Sequence, residues 1–137
     1  MLSSFIPMLM STGGNTGSQA STTIIRSLSL GEIRYRDIPR VLLKESSTAV
    51  LCGATLAVAN FAKLMLLDHV GIPVALVVCL TIMAVAVVAN MLGSLLPMLA
   101  KRIGLDPTVM ASPLISTILD AVSLIIFFNI AVAVLGI

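Results

Sequence analysis

Four long apolar stretches constrain this chain more than any other feature. They run over about residues 1–28, 46–67, 73–100 and 107–136. A helix needs about 20 apolar residues to cross the hydrocarbon core of a bilayer. All four are long enough, and the last two have length to spare for tilt. The expected fold is all-α: a polytopic transmembrane bundle with four membrane helices, forming one domain over residues 1–137. Composition agrees, since only 10% of the 137 residues are charged and a water-solvated surface usually needs about a quarter.

The breaks between stretches carry helix punctuation. Asp68-His69-Val70-Gly71-Ile72-Pro73 is a tight connection in which Pro73 opens the next helix. Gly104-Leu105-Asp106-Pro107 ends one helix at Gly104 and starts another, with Asp106 as its cap. The polar connection over about residues 29–45 is expected to hold a short amphipathic turn or helix at the membrane surface. The first stretch has no basic leader and is polar from Ser11 to Thr23, so it is not a signal peptide.

Basic residues set the expected orientation. Arg26, Arg34, Arg36, Arg40, Lys44, Lys101 and Arg102 are seven of the eight, and they flank two connections on one side. The positive-inside rule places that side in the cytoplasm and both ends of the chain outside. Lys63, near the outer end of its helix, can snorkel to the interface. A chain that starts outside, inside an apolar stretch, leads us to expect a further helix upstream.

Asp120 carries the most functional information. It is expected near the middle of the fourth helix, where a carboxylate costs about 2.5–3.5 kcal/mol on insertion scales. No basic residue lies at matching depth to pair with it. Ser112 and Ser116 precede it at helical spacing, with Thr117 beside them and Ser123 one turn later. Hydroxyls and carbonyls are hard oxygen donors that suit Mg²⁺ or its hydration shell. Pro113 is expected to free the carbonyl of Val109. Against this stands plain packing, since small hydroxyl residues are common where membrane helices meet.

The run from Gly13 to Thr23 is the second feature. Gly13, Gly14, Asn15, Gly17 and Ser18 put glycines and polar side chains at membrane depth, where they must face other helices or water. Ser11, Asn15, Ser18 and Thr22 follow one helical face, as in a pore-lining helix. For Asn90, Gly93, Ser94 and Pro97, packing, a gating kink and an ion contact all stay open. His69 reads as a solvated loop residue, and Glu45 as the partner of Lys44 or Arg40 in an interfacial ion pair.

Several classes are excluded. Cys52 and Cys79 lie apart, without metal-ligand spacing, and read as small buried residues. There is no basic patch interleaved with aromatics for nucleic acid. No nucleophile–base pair, zinc-protease motif or paired carboxylates give grounds for an enzyme.

Phe5-Ile6-Pro7 to Ser21-Thr22-Thr23, with its Gly-Gly-Asn-x-Gly-Ser-Gln-Ala-Ser core, resembles the membrane domain of the MgtE family of magnesium channels. So do the continuation Ile25 to Ile33, Gly104-Leu105-Asp106-Pro107, and Pro113 to Asp120. The resemblance implies the last four of five membrane helices and a homodimer in the plasma (inner) membrane. It implies that Asp120 lies on the dimer axis and holds a largely hydrated Mg²⁺, with the Ser116 carbonyl contributing and Ser112 standing where some members have Asn. Mn²⁺, Ca²⁺ or other divalent cations are alternatives. It also implies cytoplasmic Mg²⁺-sensing domains as partners, for which Asp106 and Glu45 are candidate contacts. Three readings stay open: a passive channel, a Na⁺- or H⁺-coupled transporter, and a non-conducting assembly subunit.

Overall fold

The computed structural model describes residues 2–110 and 113–136. Four α-helices are joined by short connections: α1 Ile6–Ser29, α2 Ile38–Leu66, α3 Ile72–Arg102 and α4 Pro113–Leu135. Short 3₁₀ turns precede α1, α2 and α4, at Leu2–Phe5, Tyr35–Asp37 and Pro107–Met110. Prolines sit in the first or second position of every α-helix, at Pro7, Pro39, Pro73 and Pro113. There the missing N–H is one that the helix would leave unpaired anyway.

The chain is a polytopic helical bundle, and three segments are long and apolar enough to span a membrane: Tyr35–Leu66, α3 and α4. Even the 23 residues of α4 extend about 35 Å at 1.5 Å per residue, which exceeds a hydrocarbon core of about 30 Å. α1 has the length, but its polar run lowers its hydropathy. α3 is the central helix, packed against α1, α2 and α4. It accordingly has the largest share of buried residues.

Two helix starts differ from the sequence reading. α2 begins at Ile38 and not near 46, so Arg40, Lys44 and Glu45 lie on its first turns. The surface-lying segment shrinks to the turn Tyr35–Asp37, where the Asp37 carboxylate accepts the Arg34 N–H at 2.8 Å. α4 begins at Pro113 and not near 107. Pro113 therefore stands at the start of α4, where its missing N–H breaks no helical hydrogen bond, and not in a helix interior. Val109 belongs to the 3₁₀ turn instead.

At one end of the bundle, α1 and α3 finish in the same way. Gly31 (φ +72) and Gly104 (φ +82) take the left-handed conformation that glycine adopts without a side-chain clash. The N–H groups of Glu32 and Leu105 reach back to the carbonyls of Ser27 and Ala100 at 3.0 and 2.9 Å, closing both helices. The Lys101 ammonium donates to the Leu28 carbonyl at 3.1 Å, and the Tyr35 hydroxyl to the Lys101 carbonyl at 3.2 Å. The two basic connections thus share one end. At the other end, Leu9, Leu64, Val78 and Phe127 form an apolar core. Lys63 is half-exposed there and pairs with Asp68 at 3.1 Å, a surface contact of little consequence for stability.

Candidate cation site

The site grows out of how α1 meets α3 and α4. Gly13, Gly14 and Gly17 are all buried, and each faces a different neighbour. The space a Cβ would take at Gly13 is filled by the Ser123 hydroxyl and Val85. At Gly17 it is filled by the Leu119 side chain, with the Ala89 carbonyl 3.1 Å away. Gly17 also crosses Gly93 of α3 backbone to backbone. Gly13 and Gly17 are thus packing positions. At Gly14 a Cβ would meet the Asp120 Oδ1 at 3.6 Å and Ser116 at 3.7 Å.

Asp120 is half-buried on α4, seven residues after Pro113, so it lies nearer the start of its helix than the sequence suggested. Among the described residues no basic side chain pairs with it. Beside it, the Ser18 and Ser116 hydroxyls stand 3.3 Å apart and join α1 to α4. The site as described is therefore Asp120, Ser116 and Ser18 around the bare backbone of Gly14. Ser112 lies outside the described residues. Thr117 is exposed, and its hydroxyl donates to the Pro113 carbonyl at 2.9 Å.

The polar run of α1 costs less than its composition suggests. The hydroxyls of Thr12, Thr22 and Thr23 donate to carbonyls four residues back, at 2.8, 2.9 and 3.0 Å. Ser21 is fully buried and donates to the Met110 carbonyl at 3.0 Å, tying α1 to the turn before α4. Asn15 and Gln19 are exposed along the cavity between α1 and α2, where Asn15 donates to the Ser11 hydroxyl at 3.3 Å.

Sequence reasoning missed the role of Glu45. It pairs with neither Lys44 nor Arg40. It faces Asn90 of α3, whose amide donates to the Glu45 carbonyl at 2.8 Å and to its carboxylate at 3.2 Å. Only an apolar-looking stretch of α3 interrupted by one amide hinted at this. Glu45 stands where two cavities meet: one of about 410 Å³ edged by Glu32, Asp37 and Arg40, the other of about 740 Å³ between α1 and α2.

Asp106 is exposed in the connection after α3 and receives the Thr108 N–H at 3.0 Å, so it caps the 3₁₀ turn Pro107–Met110 and not α4, which starts at Pro113. That backbone hydrogen bond, and then the Thr108 hydroxyl, hold its carboxyl below the ordinary carboxylate range. A lowered value means that the cap is intact above the usual Asp pKa of about 3.9 and is lost as pH falls through the lower folded value. Thermal melts over an acid series should therefore show a small acid-side loss of stability that Asp106→Ala lacks.

The family profile MgtE, described as a divalent cation transporter, matches residues 6–130. The chain belongs to the MgtE family. It is similar to the magnesium transporter MgtE of Thermus thermophilus, 37% identical over 136 residues that make up 95% of this chain and 28% of that protein. The magnesium transporters MgtE of Enterococcus faecalis and Bacillus subtilis are 32% and 31% identical, each over 96% of this chain. The chain spans 28–29% of the length of these curated relatives. The family match takes in α1, α2 and α3 whole and α4 as far as Ile130, so every residue of the described site lies inside it.

Proposed function

We propose that this chain is the membrane pore of a Mg²⁺ channel, with two copies holding one largely hydrated ion between their Asp120 side chains. The supporting observation is the unpaired, half-buried Asp120 set against Gly14 and the Ser18–Ser116 hydroxyl pair, in a family of divalent cation transporters. Among the described residues no three His, Cys, Asp or Glu side chains converge. One chain thus offers a single carboxylate, too few for the all-protein cage of a dehydrated ion. Mg²⁺ releases water reluctantly, so hydroxyls and one carboxylate per copy suit its hydration shell. Across a twofold axis the two carboxylates would repel until a cation sits between them.

In this reading Asn15, Ser18 and Gln19 line the pore, and the end carrying Gly31, Gly104 and the basic residues faces the cytoplasm of the plasma membrane. Asp106, exposed at that end, stays available to Mg²⁺-sensing domains; Glu45, engaged by Asn90, is the weaker contact.

Flux into liposomes tests the mechanism. A channel passes Mg²⁺ down its own gradient, with uptake unchanged when Na⁺ and proton gradients are collapsed. Uptake that requires an opposing Na⁺ or proton gradient would overturn the channel and leave a coupled transporter. Failure of the purified protein to carry Mg²⁺ under either condition would leave the assembly-subunit reading.

A further inference from the structure

Gly14 differs from the glycines around it. Packing explains Gly13 and Gly17, because side chains from α3 and α4 already occupy the space their Cβ atoms would need. It explains Gly93 too, where the Gly17 backbone leaves no room. It does not explain Gly14. A Cβ there meets its nearest neighbours at 3.6 and 3.7 Å, which is ordinary van der Waals contact. Alanine would fit, and in a helix interior alanine is intrinsically the better residue. Those neighbours are the Asp120 Oδ1 and the Ser116 side chain, so the methyl would lie on the polar group that the proposed ion approaches.

We infer that Gly14 is a specificity-determining residue: by presenting bare backbone it keeps hydrocarbon off the Asp120 carboxylate, so that carboxylate can hold an ion through water. The inference rests on the Asp120 reading above. A carboxylate against a methyl group loses room for solvating partners on that side. An ion that keeps its water shell needs that room most. Mg²⁺ gives up water reluctantly, whereas Ca²⁺ accepts six to eight ligands in flexible geometry. A methyl at position 14 therefore penalises hydrated Mg²⁺ more than Ca²⁺. It changes the ratio between the ions as well as the total flux.

The test compares Mg²⁺ and Ca²⁺ uptake in liposomes for the wild type, Gly14→Ala, Gly14→Ser and Asp120→Asn. Gly14→Ala should melt at or above the wild-type temperature, with Mg²⁺ uptake about tenfold lower and the Mg²⁺-to-Ca²⁺ ratio down at least about threefold. Gly14→Ser adds a hydroxyl oxygen at that point and should recover part of the Mg²⁺ flux that Gly14→Ala loses. Wild-type flux and ratio in Gly14→Ala would overturn the inference. So would an equal fall for both ions, which would mark a packing effect, or a failure to fold, since the argument requires room for the methyl. If Asp120→Asn retains wild-type Mg²⁺ uptake, the underlying site is wrong. If only Gly14→Ala is silent, the site stands and the role of Gly14 falls.

Discussion

Replacing Asp120 with asparagine should reduce Mg²⁺ uptake by the reconstituted protein at least about tenfold while leaving the fold intact. Asparagine keeps the shape of the side chain, so its place beside Gly14 is kept. What disappears is charge. Two unit charges 4 Å apart attract by about 1 kcal/mol in water and about 4 kcal/mol at an effective dielectric of 20, which corresponds to roughly 5- to 1,000-fold in occupancy. A divalent ion held between two carboxylates lies toward the upper part of that range. The same reading predicts a reversal in stability. Without Mg²⁺ the paired carboxylates repel, so Asp120→Asn should melt higher than the wild type. With Mg²⁺ at 100 times its dissociation constant, ligand binding stabilises the wild type by about 2.7 kcal/mol, and the order should invert. Wild-type uptake in Asp120→Asn, or an identical Mg²⁺-dependent melting shift in both proteins, would remove Asp120 from the ion path.

Which parts of this were legible in the sequence follows from the range of the interactions. Proline placement and apolar length are local, so four helices and their approximate order could be read directly. The start of α2 could not. Arg40, Lys44 and Glu45 look like a solvated connection, yet a helix opened by Pro39 carries them, and Glu45 finds its partner 45 residues away at Asn90. Pro113 misled for a related reason. Placed inside a helix it frees a carbonyl, but at a first position it frees none, and only the turn at Pro107–Met110 decides between the two.

The candidate site divides in the same way. Asp120 stood out because a charge in an apolar helix is costly wherever the helix packs. Its relation to Gly14 and the Ser18–Ser116 pair depends on the rotation of α1 against α4, which no local pattern encodes. The glycines of α1 pointed to helix neighbours or water at membrane depth, but composition did not separate Gly13 and Gly17, whose space is filled by neighbours, from Gly14, whose space is not.

The crossing of Gly17 and Gly93 should be the least tolerant point in the bundle. A Cβ at Gly93 would fall on the Gly17 carbonyl oxygen, with the Gly17 Cα only 2.9 Å away. These are backbone atoms, so no rotamer change can relieve the contact and the helices must separate. Overpacking of this kind costs about 1–3 kcal/mol when side chains can adjust. Here they cannot, so Gly93→Ala should fall at the upper end of that range or beyond it, even though alanine recovers up to about 1 kcal/mol of helix propensity. Gly93→Leu drives a full side chain between α1 and α3 and should exceed the upper figure, lowering the melting temperature by roughly 10 °C or more or preventing a folded, monodisperse protein. Gly53→Ala provides the contrast. Its Cβ would meet the Ala86 methyl at 3.2 Å and the Met83 Cα at 3.4 Å, a misfit of a few tenths of an ångström between α2 and α3. It should shift the melting temperature by a few degrees at most. Flux should separate the two positions further, because α1 carries Gly14 and Ser18 and α2 carries no part of the Asp120 site. Displacing α1 by Gly93→Ala should therefore reduce Mg²⁺ uptake even in the fraction that folds, whereas folded Gly53→Ala should transport normally. Equal stability and flux for Gly93→Leu and wild type would mean that α1 and α3 do not cross at these glycines.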